Sequence, residues 1–321
     1  MRRNALGRTG LQVSALALGG HEYLQDGRSR GFNEHMALAV QPGHIGEGYG
    51  GDKRKQVLAA AYDLGINLFD VTIDSEKEAL GRNFADMPPP YEVYVQTRPE
   101  GMCYSYDRNN RKMLDLELLR AEVQRGLKLL RRDRLDLLNI GLLAWSIDND
   151  PEYLHRLAHN ISVLKRDGLI RFAVADSFSG ERLYLAMLQC GAIDVVNVDL
   201  NIGDAGALQQ VLPQARAAGQ GVIAREAFLK GELFRLGDAN GIMERPLLAS
   251  AALKWVAQQG ADTIIAGVDT AVQLAANAKA LDVPFTAAEE DVLARIRATS
   301  AFAAYEQRKN SEFFETQEGA R

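Results

Sequence analysis

The stretch INLFDVTIDSEKEALGRN, residues 66 to 83, ends an apolar run on Asp70 and reaches Leu80-Gly81 inside a helical pattern. A carboxyl group at the end of a buried strand can take or give a proton, because burial favours its neutral form. The same arrangement recurs along the chain. His21 with Glu22, Arg98, Asp176, Asp199 with Asn201, and Arg225 with Glu226 each follow or close an apolar run. Taken singly, each reads as a salt bridge finishing a protein rim. Converging on one mouth, they describe a polar ligand pocket. Four or five carboxylates against two arginines suit a hydroxylated or carboxylated small molecule better than a bare polyphosphate. In such a pocket Asp70 with Asp176 or Glu226 would serve as base and acid. Arg98 or Arg225 would hold a developing oxyanion. His21, Asp70, Arg98, Asp176, Arg225 and Glu226 are therefore the candidate catalytic residues.

These residues need elements to position them. Short apolar runs at 12–20, 66–70, 91–98, 135–143, 170–176, 194–201, 221–227 and 262–268 read as strands. Stretches of helical period follow at 53–65, 76–85, 116–130, 152–168, 181–189, 206–219, 247–260 and 271–281, with Gly65, Gly168, Gly219 and Gly260 at helix ends. Eight strand-helix units in 321 residues predict an α/β fold, a single (β/α)8 TIM barrel. A doubly wound sheet is the alternative, but no GxGxxG turn follows the first strand. Barrel chemistry sits at the C-terminal strand ends, where the ionisable residues fall. A loop with seven glycines, 21–52, follows strand one and reads as a lid or specificity loop. The barrel is expected to occupy residues 1–303, with a C-terminal tail at 304–321 whose Phe313 and Phe314 suggest docking.

A net charge of −5 and a pI near 5.7, without clustered lysines and arginines, argue against a nucleic-acid surface. No apolar run reaches the ~20 residues of a membrane span, and the N-terminus lacks the apolar core of a secretory signal. Cys103 and Cys190 form neither a disulfide framework nor a metal-ligand spacing. The chain is expected to be cytoplasmic. A divalent ion on His21, Glu22, Asp70 and Asp176 has no local ligand motif behind it, so no metal is assigned. His155 and His159, at i and i+4, fall on the outer face of the fourth helix.

Six segments in order carry a resemblance to the aldo-keto reductase superfamily: LGRTGLQVSALALGG, AYDLGINLFD, GLKLLRRDRLDLLNI, LKRDGLIRFAVADSF, VIAREAFLKGELF and IIAGVDTAVQLAANAKAL. The resemblance covers nearly the whole chain and implies NAD(P)H-dependent carbonyl reduction through an Asp, Tyr, Lys, His tetrad. Asp70 matches the aspartate. Ser75 falls near the tyrosine position, Arg98 at the lysine and Gly141 at the histidine. Serine is a far poorer proton donor than a phenol, and arginine is effectively never deprotonated.

The resemblance also places the cofactor contacts. The nicotinamide-holding Ser-Asn pair falls on Asp176-Ser177, its glutamine on Asn197, and the ring-stacking aromatic on Leu200 or Arg225. Gly231, Leu233, Gly267 and Asn277 retain family positions that could cradle a pyrophosphate or simply serve the fold. Asp269 would repel a 2′-phosphate.

Three functions follow. The first is an NAD(P)-dependent oxidoreductase on a small carbonyl or polyol, its proton coming from His21, Tyr23, His35, His44, Tyr104 or Tyr106. The second is a nicotinamide-independent lyase, isomerase or hydrolase. The third is a non-catalytic binding barrel. In each the partner is a small molecule; oligomeric state is left open. Charge at Asp74, Glu76, Arg98, Asp176, Arg225 and Glu226 reads as a rebuilt mouth.

Overall fold

The computed structural model describes residues 1–20, 41–99, 109–177 and 180–307. A short hairpin of β1 (Arg3–Ala5) and β2 (Gln12–Ser14) comes first. Eight strands, β3 (Leu16–Gly19), β4 (Leu68–Asp70), β5 (Tyr94–Thr97), β6 (Leu135–Leu142), β7 (Ile170–Ser177), β8 (Val195–Asp199), β9 (Gly221–Arg225) and β10 (Thr263–Ala266), then close a parallel barrel in chain order. The helices between them are α1 (Asp52–Asp63), α2 (Asp74–Asp86), α3 (Leu116–Leu130), α4 (Tyr153–Arg166), α5 (Glu181–Gln189), α6 (Val211–Ala217), α7 (Glu232–Ala239), α8 (Arg245–Gln258) and α9 (Ala271–Ala280). The fold is the (β/α)8 barrel that the alternation predicts.

Local chemistry explains the boundaries. The glycines expected at helix ends, Gly65, Gly168, Gly219 and Gly260, all have φ between +69° and +86°, the left-handed turn that stops a helix. Gly81 has a different duty. A Cβ there would lie 2.2 Å from the carbonyl oxygen of Leu129, so only glycine lets α2 pack this closely on the end of α3. The Leu-Gly landmark is a packing device.

The run at 12–20, expected as one strand, divides at Ala15. Its first half, β2, pairs antiparallel with β1, and only β3 enters the barrel. Leu6, Leu11 and Val13 of this hairpin pack on Ala17, Leu68, Tyr94, Leu137, Val174, Val195, Ile223 and Ile265, the inward side chains of the barrel's lower layers. Besides a single turn at Trp145–Asp148, the helical segments not evident from periodicity include α7, α10 (Ala287–Arg297) and a helix over 300–307. With α8 they form a second apolar cluster that includes Leu233, Ile296, Phe302 and Tyr305.

The N-terminal ends of the strands share one device. Asp136, Asp194 and Asp262 each accept a backbone N–H from the preceding strand, from Val95 at 3.0 Å, Ala173 at 2.8 Å and Val222 at 2.8 Å. Each also pairs with a cation: Asp136 with Arg132 and Arg171, Asp194 with Lys165, and Asp262 with Arg216. Removing the carboxylate would orphan a buried donor and unpair the arginines, which costs about 3 kcal/mol. Asp136→Ala should lower unfolding free energy in urea by that amount. Asp136→Asn, which keeps an acceptor, should lose less; equal losses would show that the N–H contact contributes nothing.

Candidate active site at the barrel mouth

Side chains alternate along a strand, so the inward set can be counted upward from the apolar layer. Two residues above Leu68, Tyr94, Leu137, Val174, Val195 and Ile223 stand Asp70, Gln96, Asn139, Asp176, Asn197 and Arg225. Six of eight strands thus turn polar at the first inward position above that layer, staggered between neighbours: Gln96 is level with Leu137, Asn139 with Val174 and Asn197 with Ile223. The other two carry Gly19 and Gly267 at the corresponding positions. A further step brings Arg98, Gly141 and Asp199 above the polar layer.

Arg225 is the hub. Its Nη1 donates to Asp176 Oδ2 at 2.6 Å and its Nε to Asp199 Oδ1 at 2.5 Å. Arg98 Nη2 approaches the same Asp176 oxygen at 3.5 Å. Asp176 is fully buried, while Arg225 and Arg98 keep 13% and 11% of their side chains exposed. A lone carboxylate at that depth would be prohibitive; two guanidinium groups make it tolerable. Burial lowers the Arg225 pKa, but the facing Asp176 and Asp199 outweigh it and the net shift is upward.

Asp70 lies on the neighbouring side of the mouth. Gln96 Nε2 donates to its Oδ1 at 2.8 Å. Its backbone is held by Gly20 N–H on its carbonyl at 3.2 Å. Burial pushes the Asp70 carboxyl above its ordinary range, and Arg98, Gln96 and Arg225 only partly oppose this. Asp70 is a carboxyl poised to keep a proton.

Several candidates serve the fold locally. Glu76 Oε2 accepts the backbone N–H groups of Thr72 at 2.7 Å and Ile73 at 3.2 Å, capping its own helix. Asp74, fully buried, pairs with Lys77 at 2.8 Å and Arg125 at 3.0 Å and accepts Gly43 N–H at 2.8 Å. These two acids are therefore not charges added to the mouth. Ser75 Oγ accepts Gly46 N–H at 2.8 Å and donates to the His44 carbonyl at 3.1 Å. The position at which the resemblance implies a proton donor ties residues 43–46 to α2. Glu226 has φ +60° and pairs with Lys230 at 3.1 Å, while Asn201 Nδ2 donates to its carbonyl at 3.1 Å. His21, Tyr23, His35, Tyr104 and Tyr106 lie outside the described residues.

Sequence reasoning missed Gln96, Asn139 and Arg54. Arg54 is fully buried on α1, and its Nη2 donates to the Gly19 carbonyl at 3.2 Å. Its signal was a cation on the apolar stripe of Val57, Leu58 and Ala61. Gln96 and Asn139 stand two residues before Arg98 and Gly141, hence on the same inward face.

The implied dinucleotide can be tested against these partners. A nicotinamide carboxamide needs both a donor and an acceptor. Asp176 cannot donate, and the Ser177 hydroxyl donates to the Gly180 carbonyl at 2.9 Å. Leu200 is fully buried in the outer core, so Arg225 holds the ring-stacking position, fixed edgewise by two aspartates. At the other end, Gln273 Oε1 already accepts the N–H groups of Asp269 and Thr270, which closes the N-terminus of α9. Gly231 is left-handed with open space beside it, but Glu232 follows it in the first turn of α7. Leu233 is buried in the second apolar cluster and Asn277 is 6% exposed on α9. These residues do not fit a dinucleotide held as the resemblance places it.

Among the described residues, no group of three or more His, Cys, Asp or Glu is arranged to hold a metal ion. No helix there is long and apolar enough to cross a membrane. Cys190 is a free thiol whose pKa burial raises.

No protein-family model and no curated sequence matches the chain. Solved structures do match. The holo form of an aldo-keto reductase from Bacillus halodurans is 18% identical, with 92% of this chain and 95% of that one covered and a TM-score of 0.66. Two structures from Pseudomonas aeruginosa, described provisionally as aldo-keto reductases, are 23% and 22% identical, each covering 87% of this chain and 95% of its own at a TM-score of 0.58. At such identities the likeness is one of architecture: this chain has the fold of the aldo-keto reductases.

Proposed function

We propose that this protein is an aldo-keto reductase-like enzyme that binds a small hydroxylated molecule at the barrel mouth and transfers a proton at Asp70. One observation carries the reading: a carboxyl biased toward its neutral form by burial, oriented by Gln96, beside fixed arginines. Gln96 occupies Oδ1, which leaves Oδ2 to carry the transferable proton. A carboxyl with a raised pKa is a better general acid near neutrality than an ordinary aspartate. When Asp70 gives up its proton, the positive field of Arg98 and Arg225 stabilises the carboxylate that remains. Arg225 is too firmly paired to move, so it acts as preorganised charge.

Because the mouth does not grip a nicotinamide amide in the expected way, redox-neutral chemistry is the leading assignment: elimination, isomerisation or hydrolysis. Carbonyl reduction with NAD(P)H is the second reading, supported by the fold shared with a holo-form reductase. Under it Asp70 again supplies the proton, since position 75 is serine.

The deciding measurement is a calorimetric titration of the purified chain with NADH, NADPH, NAD and NADP. Micromolar binding of any of them moves the assignment to the reductase. Silence at millimolar concentration leaves the redox-neutral enzyme, to be screened with sugars and hydroxy acids. In either case Asp70→Asn should abolish turnover, by about a thousandfold or more for a lost acid. Unchanged kcat in the Asp70→Asn variant would end the proposal.

The raised Asp70 pKa also fixes a stability signature. The folded state holds this proton more tightly than the unfolded chain. The associated stability is complete below the unfolded aspartate pKa and disappears as pH rises through the folded one. Urea unfolding across that window should show wild type losing stability relative to Asp70→Asn as pH increases. Parallel profiles would mean that Asp70 titrates like an exposed aspartate.

A further inference from the structure

The polar layer holds more hydrogen-bonding capacity than the protein uses. Gln96 Oε1, Asn197 Oδ1, Asp176 Oδ1 and both side-chain atoms of Asn139 are buried without a hydrogen-bond partner among the described residues. None of these four side chains is more than 1% exposed. Gln96 cannot be relieved by turning its amide over, because its Nε2 is committed to Asp70. Buried polar atoms are normally satisfied, since each orphan costs about 1–3 kcal/mol. These four residues lie on four adjacent strands from β5 to β8 and follow the stagger of the barrel, Gln96 level with Leu137 and Asn139 with Val174, so they form a contiguous group.

The chemistry of the group leans toward acceptors. Gln96 Oε1 and Asp176 Oδ1 are acceptors fixed by the partners of their other atoms, while Asn139 and Asn197 each offer an amide that can accept or donate. A carboxylate or phosphate brings more acceptors and would be repelled. The adjacent arginines do not reverse this, because Asp176 and Asp199 already neutralise Arg225 and Arg98. The same balance leaves no surplus negative charge to draw in an ammonium group. A neutral ligand with several hydroxyls satisfies the set, each hydroxyl donating to an oxygen and able to accept from Asn139 Nδ2. On the β10 side no side chain intrudes: Gly267 is exposed, and a Cβ there would meet only the Gly19 carbonyl oxygen at 3.9 Å.

We propose that Gln96, Asn139, Asn197 and the unpartnered oxygen of Asp176 form a subsite inside the barrel that seats a hydroxyl-bearing arm of the substrate, with Asn139 as its specificity-determining residue. It deepens the preceding reading of the mouth: the arm that enters past Gly267 is neutral and rich in hydroxyls, and carboxylated substrates are disfavoured.

The test is calorimetric titration of the full chain with D-sorbitol, erythritol and L-malate, repeated with Asn139→Leu. Leucine is close to asparagine in size and removes only unpartnered polar atoms, so the melting temperature should hold or rise. The expected result is at least about tenfold tighter binding of a polyol than of malate, and about tenfold weaker polyol binding in the leucine variant. The proposal fails if malate binds more tightly, or if neither polyol binds at ~10 mM. It also fails if Asn139→Leu leaves polyol affinity unchanged, which would mean that only structural water serves these atoms. The wild-type comparison needs no variant and decides the matter if Asn139→Leu misfolds. The two proposals fail separately. Asp70-dependent turnover of malate without polyol binding would sink the subsite alone, whereas Asn139-dependent polyol binding without Asp70-dependent turnover would sink the proton-transfer reading alone.

Discussion

Everything at the mouth depends on burying the Arg225 guanidinium between Asp176 and Asp199. A barrel interior is ordinarily filled by apolar side chains, and its lower layers are filled that way here. Turning the next layer polar is tolerable only if charge is neutralised where it is buried. The Arg98, Asp176, Arg225 and Asp199 chain does that across four strands from β5 to β9, skipping β6. The arrangement has a chemical consequence. Arginines held this way are poor hooks for a substrate anion, because binding one would mean breaking a pair worth several kcal/mol. They remain effective as a fixed field, which is how they act on Asp70.

The two ends of the barrel use charge differently. At the N-terminal ends, Asp136, Asp194 and Asp262 repeat one pattern, a backbone donor plus a cation, which ties neighbouring strands together. At the C-terminal ends no such repeat exists among the described residues. Asp70 is held by one amide, Asp176 keeps an unpartnered oxygen, and two strands offer only glycine. Satisfied groups add stability, and unsatisfied buried ones cost it. The contrast sets the two ends of the barrel apart.

The architecture was legible because it rests on local signals: apolar runs of strand length, helical stripes, and glycines whose left-handed φ ends helices. Asp70, Arg98, Asp176 and Arg225 were legible as charges at strand ends. Gln96 and Asn139 were not, because neutral amides inside an apolar run carry no charge to mark them. Their inward orientation follows only once the register of Tyr94 and Leu137 is known. Asp74 and Glu76 misled for the opposite reason. Sequence records their charge but not that Glu76 turns back on its own helix, or that Lys77 and Arg125 enclose Asp74. Helices α7 and α10 escaped for different reasons: α7 is only eight residues long, and the apolar face of α10 is completed by residues of its neighbours in the second cluster.

The fate of position 75 connects these points. Its hydroxyl is engaged on both sides by the segment 43–46, so the start of α2 anchors a loop and holds no proton for a substrate. In the proposed reaction, proton transfer falls instead to Asp70, on the strand itself. A substrate that must reach Asp70 has to sit lower than one served from the rim. Depth on that side is supplied by Gly267, beside which a Cβ would meet only the Gly19 carbonyl oxygen at 3.9 Å, whereas the space beside Gly19 is filled by Ile265. What lies beyond these glycines, on β5 to β8, is an arc of unpartnered amide and carboxyl oxygens with the Asn139 amide nitrogen among them. Loss of the rim donor, the open position at Gly267, and the surplus of acceptors on β5 to β8 are three separate features of the sequence. Each alone has a structural explanation. The proposed subsite accounts for all three at once, with a reacting molecule that enters the barrel and brings its own hydroxyl groups.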